Sequence, residues 1–191
     1  MSRGLRTALI LAAIVLFCCC VAGLGGTLLG TRVFGRALIT NPDRVQAVGR
    51  EIADYDVPSG YQELFAMNML GVKIVAIGPA APADFMMIML MQLPSGLEVS
   101  QSEMERQIEQ ALARQTGLAR ADMTEVGEEE ALIKGEPVTL IVREGVTDDG
   151  EQMRQVTGLF EGKDGPALLM VAGEVDAWDT EMVDRFIASI R

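Results

Sequence analysis

Histidine is missing from all 191 residues, and with it go the commonest general base near neutral pH and the commonest metal ligand. Cysteine is nearly as scarce. Cys18, Cys19 and Cys20 stand consecutively inside an apolar run and none follows them, so the rest of the chain can build no disulfide framework. Aromatics supply only 5% of the chain against 49% apolar residues and 12 methionines, so aliphatic and thioether side chains must fill the core. That apolar share also excludes intrinsic disorder. No acidic residue precedes Asp43, and no charge of either sign falls between residues 7 and 31.

Charge arrives late and with one sign in excess. After Asn41, 27 acidic residues outnumber 12 basic ones. Such a surface repels phosphate backbones and anionic headgroups, which argues against a nucleic-acid partner.

The uncharged stretch of residues 7–31 rises by about 1.5 Å per residue as a helix, long enough to cross a hydrocarbon core of about 30 Å. It reads as a single transmembrane helix, with residues 1–36 as anchor and flanks and residues 37–191 as one acidic globular domain. A cleaved signal peptide is the rival reading, with Arg3 and Arg6 as its basic head. The run is long for that role, and Cys20-Val21-Ala22 is a poor cleavage site. The expected location is therefore the cell membrane, crossed once. A short head with two arginines is how a signal-anchor begins, which places the domain on the extracytoplasmic side. Arg32, Arg36, Arg44 and Arg50 behind the run lend that orientation no support by count.

Within the run, Cys18, Ala22, Gly26 and Gly30 recur every four residues. A stripe of small side chains would let a second helix approach closely and so form a homodimer; small residues are also simply common in membrane helices. The three cysteines could be palmitoylated, but their mid-span place favours inertness.

Beyond the anchor, Thr40-Asn41-Pro42-Asp43 offers an N-cap followed by proline at the first helical position, and Val45, Val48 and Ile52 fall on one face of the helix. Pro58-Ser59-Gly60 turns the chain into a strand over 61–69. Its partner at 72–77 follows Leu70-Gly71 closely enough for an antiparallel hairpin. Residues 84–92, DFMMIMLMQ, are apolar at nearly every position, which predicts a central strand covered on both faces. Pro94-Ser95-Gly96 closes it. Ser100 or Ser102 then caps a helix with Met104, Ile108, Ala111 and Leu112 on one face, stopping at Gly117.

Short strands are predicted next, over 124–126, 131–134, 137–146, 152–160 and 167–173. Asp148-Asp149-Gly150 and Lys163-Asp164-Gly165 are strong hairpin signals between them. Asp179 or Thr180 caps a closing helix whose Met182, Phe186, Ile187 and Ile190 form an apolar face. The expected fold class is α+β: an antiparallel sheet with helices packed on its faces, preceded by the transmembrane helix.

The opening Asp56-Val57-Pro58-Ser59-Gly60-Tyr61, the all-apolar strand, the mid-chain helix, the meander and a final helix ending Ile187-Ala188-Ser189-Ile190 together resemble the PsbP-like α/β/α sandwich. The likeness covers most of residues 56–191. The chain is similar as well to bacterial proteins that carry one N-terminal membrane helix before such a domain. The resemblance implies a long curved sheet between helices and a role as an accessory or interaction module; it assigns no functional residues.

Chemistry-bearing clusters are few. Met67, Met69, Met86, Met87, Met89 and Met91 crowd two strands, with Met87, Met89 and Met91 on one side. Thioethers suit Cu(I); core filling is the plainer role. Glu125, Glu128, Glu129 and Glu130, or Asp148, Asp149 and Glu151, could gather calcium, yet neither follows EF-hand spacing, and a solvated strand edge and a hairpin turn account for them. Ser59, Ser95, Ser100, Ser102 and Ser189 lie in no GxSxG elbow and have no histidine to activate them. Trp178 and Tyr61 could mark a contact surface or plug the sheet edge.

These absences exclude most catalytic designs. The function expected is a membrane-tethered, noncatalytic interaction or accessory module with no cofactor, whose partners are the lipid bilayer and another protein. The alternative is a small-ligand or soft-metal-binding module with a pocket lined by Met87, Met89 or Met91.

Overall fold

The first helix begins where its cap stands. Asn41 accepts a hydrogen bond from the Arg44 backbone N–H at 3.3 Å, and Pro42 occupies the first turn, where its missing N–H is no loss. The structure is a computed structural model and describes residues 38–69, 71–81, 86–94, 123–147 and 149–191. Its elements are β1 (Leu38–Ile39), α1 (Pro42–Ile52), β2 (Tyr61–Met69), β3 (Val72–Pro79), β4 (Met86–Gln92), β5 (Thr124–Ile133), β6 (Glu136–Val146), β7 (Gln152–Glu161), β8 (Pro166–Glu174), a 3-10 turn (Val175–Ala177) and α2 (Thr180–Ser189). Asp179 caps α2 by accepting from the Met182 N–H at 2.9 Å.

All eight strands form one sheet in the order β1-β2-β3-β4-β8-β7-β6-β5. Every pair from β2 onward is antiparallel. Register carries the apolar side chains of one face into line: Leu90 stands opposite Val75 on β3 and Leu169 on β8, and Ile88 opposite Ile77 and Val171. Val45, Val48 and Ile52 of α1 and Val183, Phe186 and Ile187 of α2 close over that face in a single core. Burying each such side chain fully contributes about 1.5–3 kcal/mol.

The chain's end is sewn to the segment after α1. Asp54 N–H donates to the Arg191 carbonyl at 3.1 Å, Arg191 N–H returns a bond to the Asp54 carbonyl at 2.8 Å, and the rings of Tyr55 and Phe186 lie 5.8 Å apart. On the sheet's other face Ala76, Met89, Leu168, Met170 and Ala172 are buried as well. β4 therefore carries buried side chains on both faces, as its unbroken apolar run predicts.

The expected class, α+β with helices on the sheet's faces, is corrected by this arrangement. The described residues are mostly β, with eight strands against two short helices of 11 and 10 residues, and both helices lie on one face. One reason is β5, a single ten-residue strand where two short ones were expected. The glutamates that interrupt its apolar pattern are tolerated because the strand is an exposed edge. The helix expected after Ser100 or Ser102 lies outside the described residues.

The single-pass transmembrane helix is likewise no part of the described fold. Among the described residues no helix is long and apolar enough to cross a membrane, because both helices are amphipathic, with one buried and one charged face. The apolar run of residues 7–31, with Cys18, Ala22, Gly26 and Gly30, lies outside the described residues.

Candidate functional site

β5 ends the sheet, and among the described strands none pairs with its outer edge. Residues 124–130 are exposed on both faces of that strand. Glu125, Glu128, Glu129 and Glu130 lie along it, and two apolar side chains stand out among them, Val126 at 55% and Leu132 at 65% exposure. Among the described residues none of the four glutamates takes part in a salt bridge. The strand is held along its inner side by its antiparallel register with β6, which runs from Ile133 opposite Glu136 to Thr124 opposite Glu144 with one irregularity between Glu125 and Gly127. Its end is held by Ile133, buried in the core, and by the Lys134 N–H, which donates to the Ile190 carbonyl at 3.2 Å.

A free sheet edge presents a row of unpaired N–H and C=O groups, a template for an added strand. The opposite end of the sheet is less open. β1 lies beside β2 there, and β2 is bulged between Glu63 and Phe65, a kink that interrupts regular pairing.

Behind β5, Trp178 packs against the core under the guanidinium of Arg154, which sits 5.6 Å from the ring centre. Glu144 accepts from Arg154 Nε at 2.8 Å and lies 2.6 Å from Nη2. A cavity of about 30 Å³ beside them is bounded by Glu129, Val142, Arg154, Trp178 and Asp184. That is room for little more than a water. A wider cleft of about 280 Å³ opens among Gln46, Arg50, Tyr55, Asp56, Val57 and Glu63. Its charges already have partners: Arg50 with Asp54 at 3.5 Å, Asp56 with Arg191 at 3.0 Å, and Glu63 with the Tyr55 hydroxyl at 2.6 Å.

No family model matches the chain, and no curated protein matches it.

The other residues singled out from the sequence are dispersed. Met86 joins the helix-side core and Met89 is buried on the opposite face, where it stands across from Ala76 and Met170. Met87 and Met91 are partly buried on the same side. Among the described residues no group of three or more histidine, cysteine or acidic side chains is placed to hold a metal ion. Ser189 serves the fold, donating to the Phe186 carbonyl at 2.7 Å and accepting from the Asp56 N–H at 3.1 Å. The sequence places these glutamates at a solvated strand edge but divides the segment into two short strands; what it does not show is that 124–133 form one continuous edge strand. The signal available was Val126 and Leu132 among acidic neighbours, apolar residues with no core to enter.

Proposed function

We propose that the chain is a noncatalytic interaction or accessory module held at a membrane, and that it meets its protein partner along the outer edge of β5. The observation that carries this reading is a ten-residue strand, exposed over residues 124–130 and at Leu132, whose outer edge has no partner among the described strands. Support for the membrane location comes from the uncharged run of residues 7–31. The resemblance to PsbP-like domains, with their accessory roles, agrees with the same reading. A ligand pocket lined by Met87, Met89 or Met91 is a poorer account, since Met89 is buried across from Ala76 and Met170 and Met87 and Met91 are partly buried beside it.

The test is site-specific photocrosslinking in native membranes. A photoreactive residue at Val126 or Leu132 is expected to give one discrete, stoichiometric protein adduct, and the same residue at Leu64, exposed on β2, is expected to give none. Equal adducts at both places, or none at either, would remove the β5 edge as the meeting surface.

A further inference from the structure

The chemistry of β5's partner can be read from the strand, on the premise that the edge is the docking surface. Lys134 and Gly135 both have positive φ, 55° and 81°, which makes a two-residue hairpin turn. In such a hairpin the flanking residues, Ile133 and Glu136, exchange both backbone hydrogen bonds. Alternation then turns the N–H and C=O groups of Leu132, Glu130 and Glu128 away from β6, along the part of the register that has no irregularity.

The same alternation sets the side chains of those three residues on one face of the sheet, with Glu130 beside Thr139 and Glu128 beside Ile141. An added antiparallel strand bonded to these groups brings its own side chains directly opposite two unpaired carboxylates and one exposed leucine.

We infer that the segment that docks on β5 is an extended, basic stretch of another protein, with lysine or arginine at alternate positions opposite Glu128 and Glu130. A second copy of β5 does not meet this requirement. Antiparallel pairing of two copies about residues 128–130 sets glutamate against glutamate, and like charges directly opposed destabilise a strand pair. The excess of 27 acidic over 16 basic residues in the whole chain adds repulsion between copies. Basic side chains on the incoming strand turn the same carboxylates into opposite-charge cross-strand pairs.

Two labelled peptides of about eight residues, a typical strand length, distinguish the alternatives: one alternates lysine with valine, the other glutamate with valine. Each is titrated by fluorescence anisotropy at low salt against the full chain in detergent. The lysine peptide is expected to bind and the glutamate peptide is not. Glu130→Pro removes an outward N–H and leaves the bonds to β6 intact, so it is expected to weaken binding about tenfold or more, while Glu130→Gln costs only a few-fold. The double exchange Glu128→Lys and Glu130→Lys on the exposed strand is expected to reverse the preference between the peptides.

If both peptides bind alike and Glu130→Pro weakens both, the edge reading stands and the basic partner is overturned. If the lysine peptide binds Glu130→Pro as it binds Glu130→Gln, charge alone recruits it, and the edge reading falls. Binding of neither peptide overturns the proposed partner. Self-association that Glu130→Pro abolishes and that the lysine peptide does not compete away overturns it in favour of a second copy.

Discussion

Tyr55 donates its phenolic hydrogen to Glu63 Oε1 over 2.6 Å, which joins the segment after α1 to β2. Gly49 on α1 lies against that phenol, and a Cβ there would collide with the Tyr55 oxygen. Gly49→Ala is therefore expected to destabilise the fold by about 1–3 kcal/mol through overpacking. Tyr55→Phe removes one hydrogen bond, at about 1 kcal/mol, but should cost less in the Gly49→Ala background because it relieves the collision. Urea unfolding of the two single variants and the double variant measures the difference.

Burial raises the Tyr55 pKa above its ordinary value of 10.0, and the hydrogen bond to Glu63 and that residue's charge push the same way. The folded phenol thus keeps a proton that the unfolded chain releases. Its contribution is complete below the unfolded pKa and is lost as pH rises beyond it. Between about pH 9.5 and 11.5 the wild-type unfolding midpoint should fall more steeply than that of Tyr55→Phe. Parallel slopes would show that Tyr55 ionises alike in both states.

Lys73 on β3 reaches Glu51 of α1 and Asp164 of the β7–β8 turn, each at 2.9 Å. The hydrogen bonds to Asp164 and then Glu51 raise its pKa. Lys73→Met should cost about 1 kcal/mol at low salt, with the difference shrinking as salt screens the more exposed carboxylates. Denaturation at two ionic strengths checks this. A loss independent of salt would point to packing by the lysine stem instead.

Asp54 lies 2.8 Å from Lys163 Nζ, and the hydrogen bond from that lysine holds its pKa below the usual 3.8. The attraction is present above the unfolded pKa and disappears as pH falls through the folded one. In Lys163→Met the Asp54 carboxyl should titrate at a higher pH. A carbon-detected NMR titration reads the change at the residue itself, and an unmoved midpoint would contradict the assignment.

Trp178 is the only tryptophan in the chain, so its emission reports on Arg154 directly. Arg154→Met removes the cation over the ring and the ion pair to Glu144, at a combined cost of about 1 kcal/mol. The fluorescence spectrum should shift, while Glu144→Gln, which leaves the guanidinium in place, should move it less.

Several elements could be placed without coordinates because their causes are local. Asn41 and Asp179 cap the two described helices, and the apolar faces behind those caps are buried. Gly71, with φ at 84°, turns the chain into β3, and an unbroken apolar run marks a strand buried on both faces. The extent of β5 was not legible. Its carboxylates erase the apolar alternation that announces a strand, and over residues 124–130 it is held by pairing with β6 and not by burial.

The amino-acid order by itself determined where helices start, which strands pair as hairpin neighbours, and that catalysis by histidine or by a cysteine of the domain is excluded. These follow from dihedral preference, side-chain period and the presence or absence of a functional group, all properties of nearby residues. Tertiary structure alone decided that β4 lies beside β8, that both described helices share one face, that Tyr55 meets Glu63, and that β5 is left at an edge. Each depends on closing the chain over a long separation, and many closures of similar entropy compete until burial of the whole core selects one.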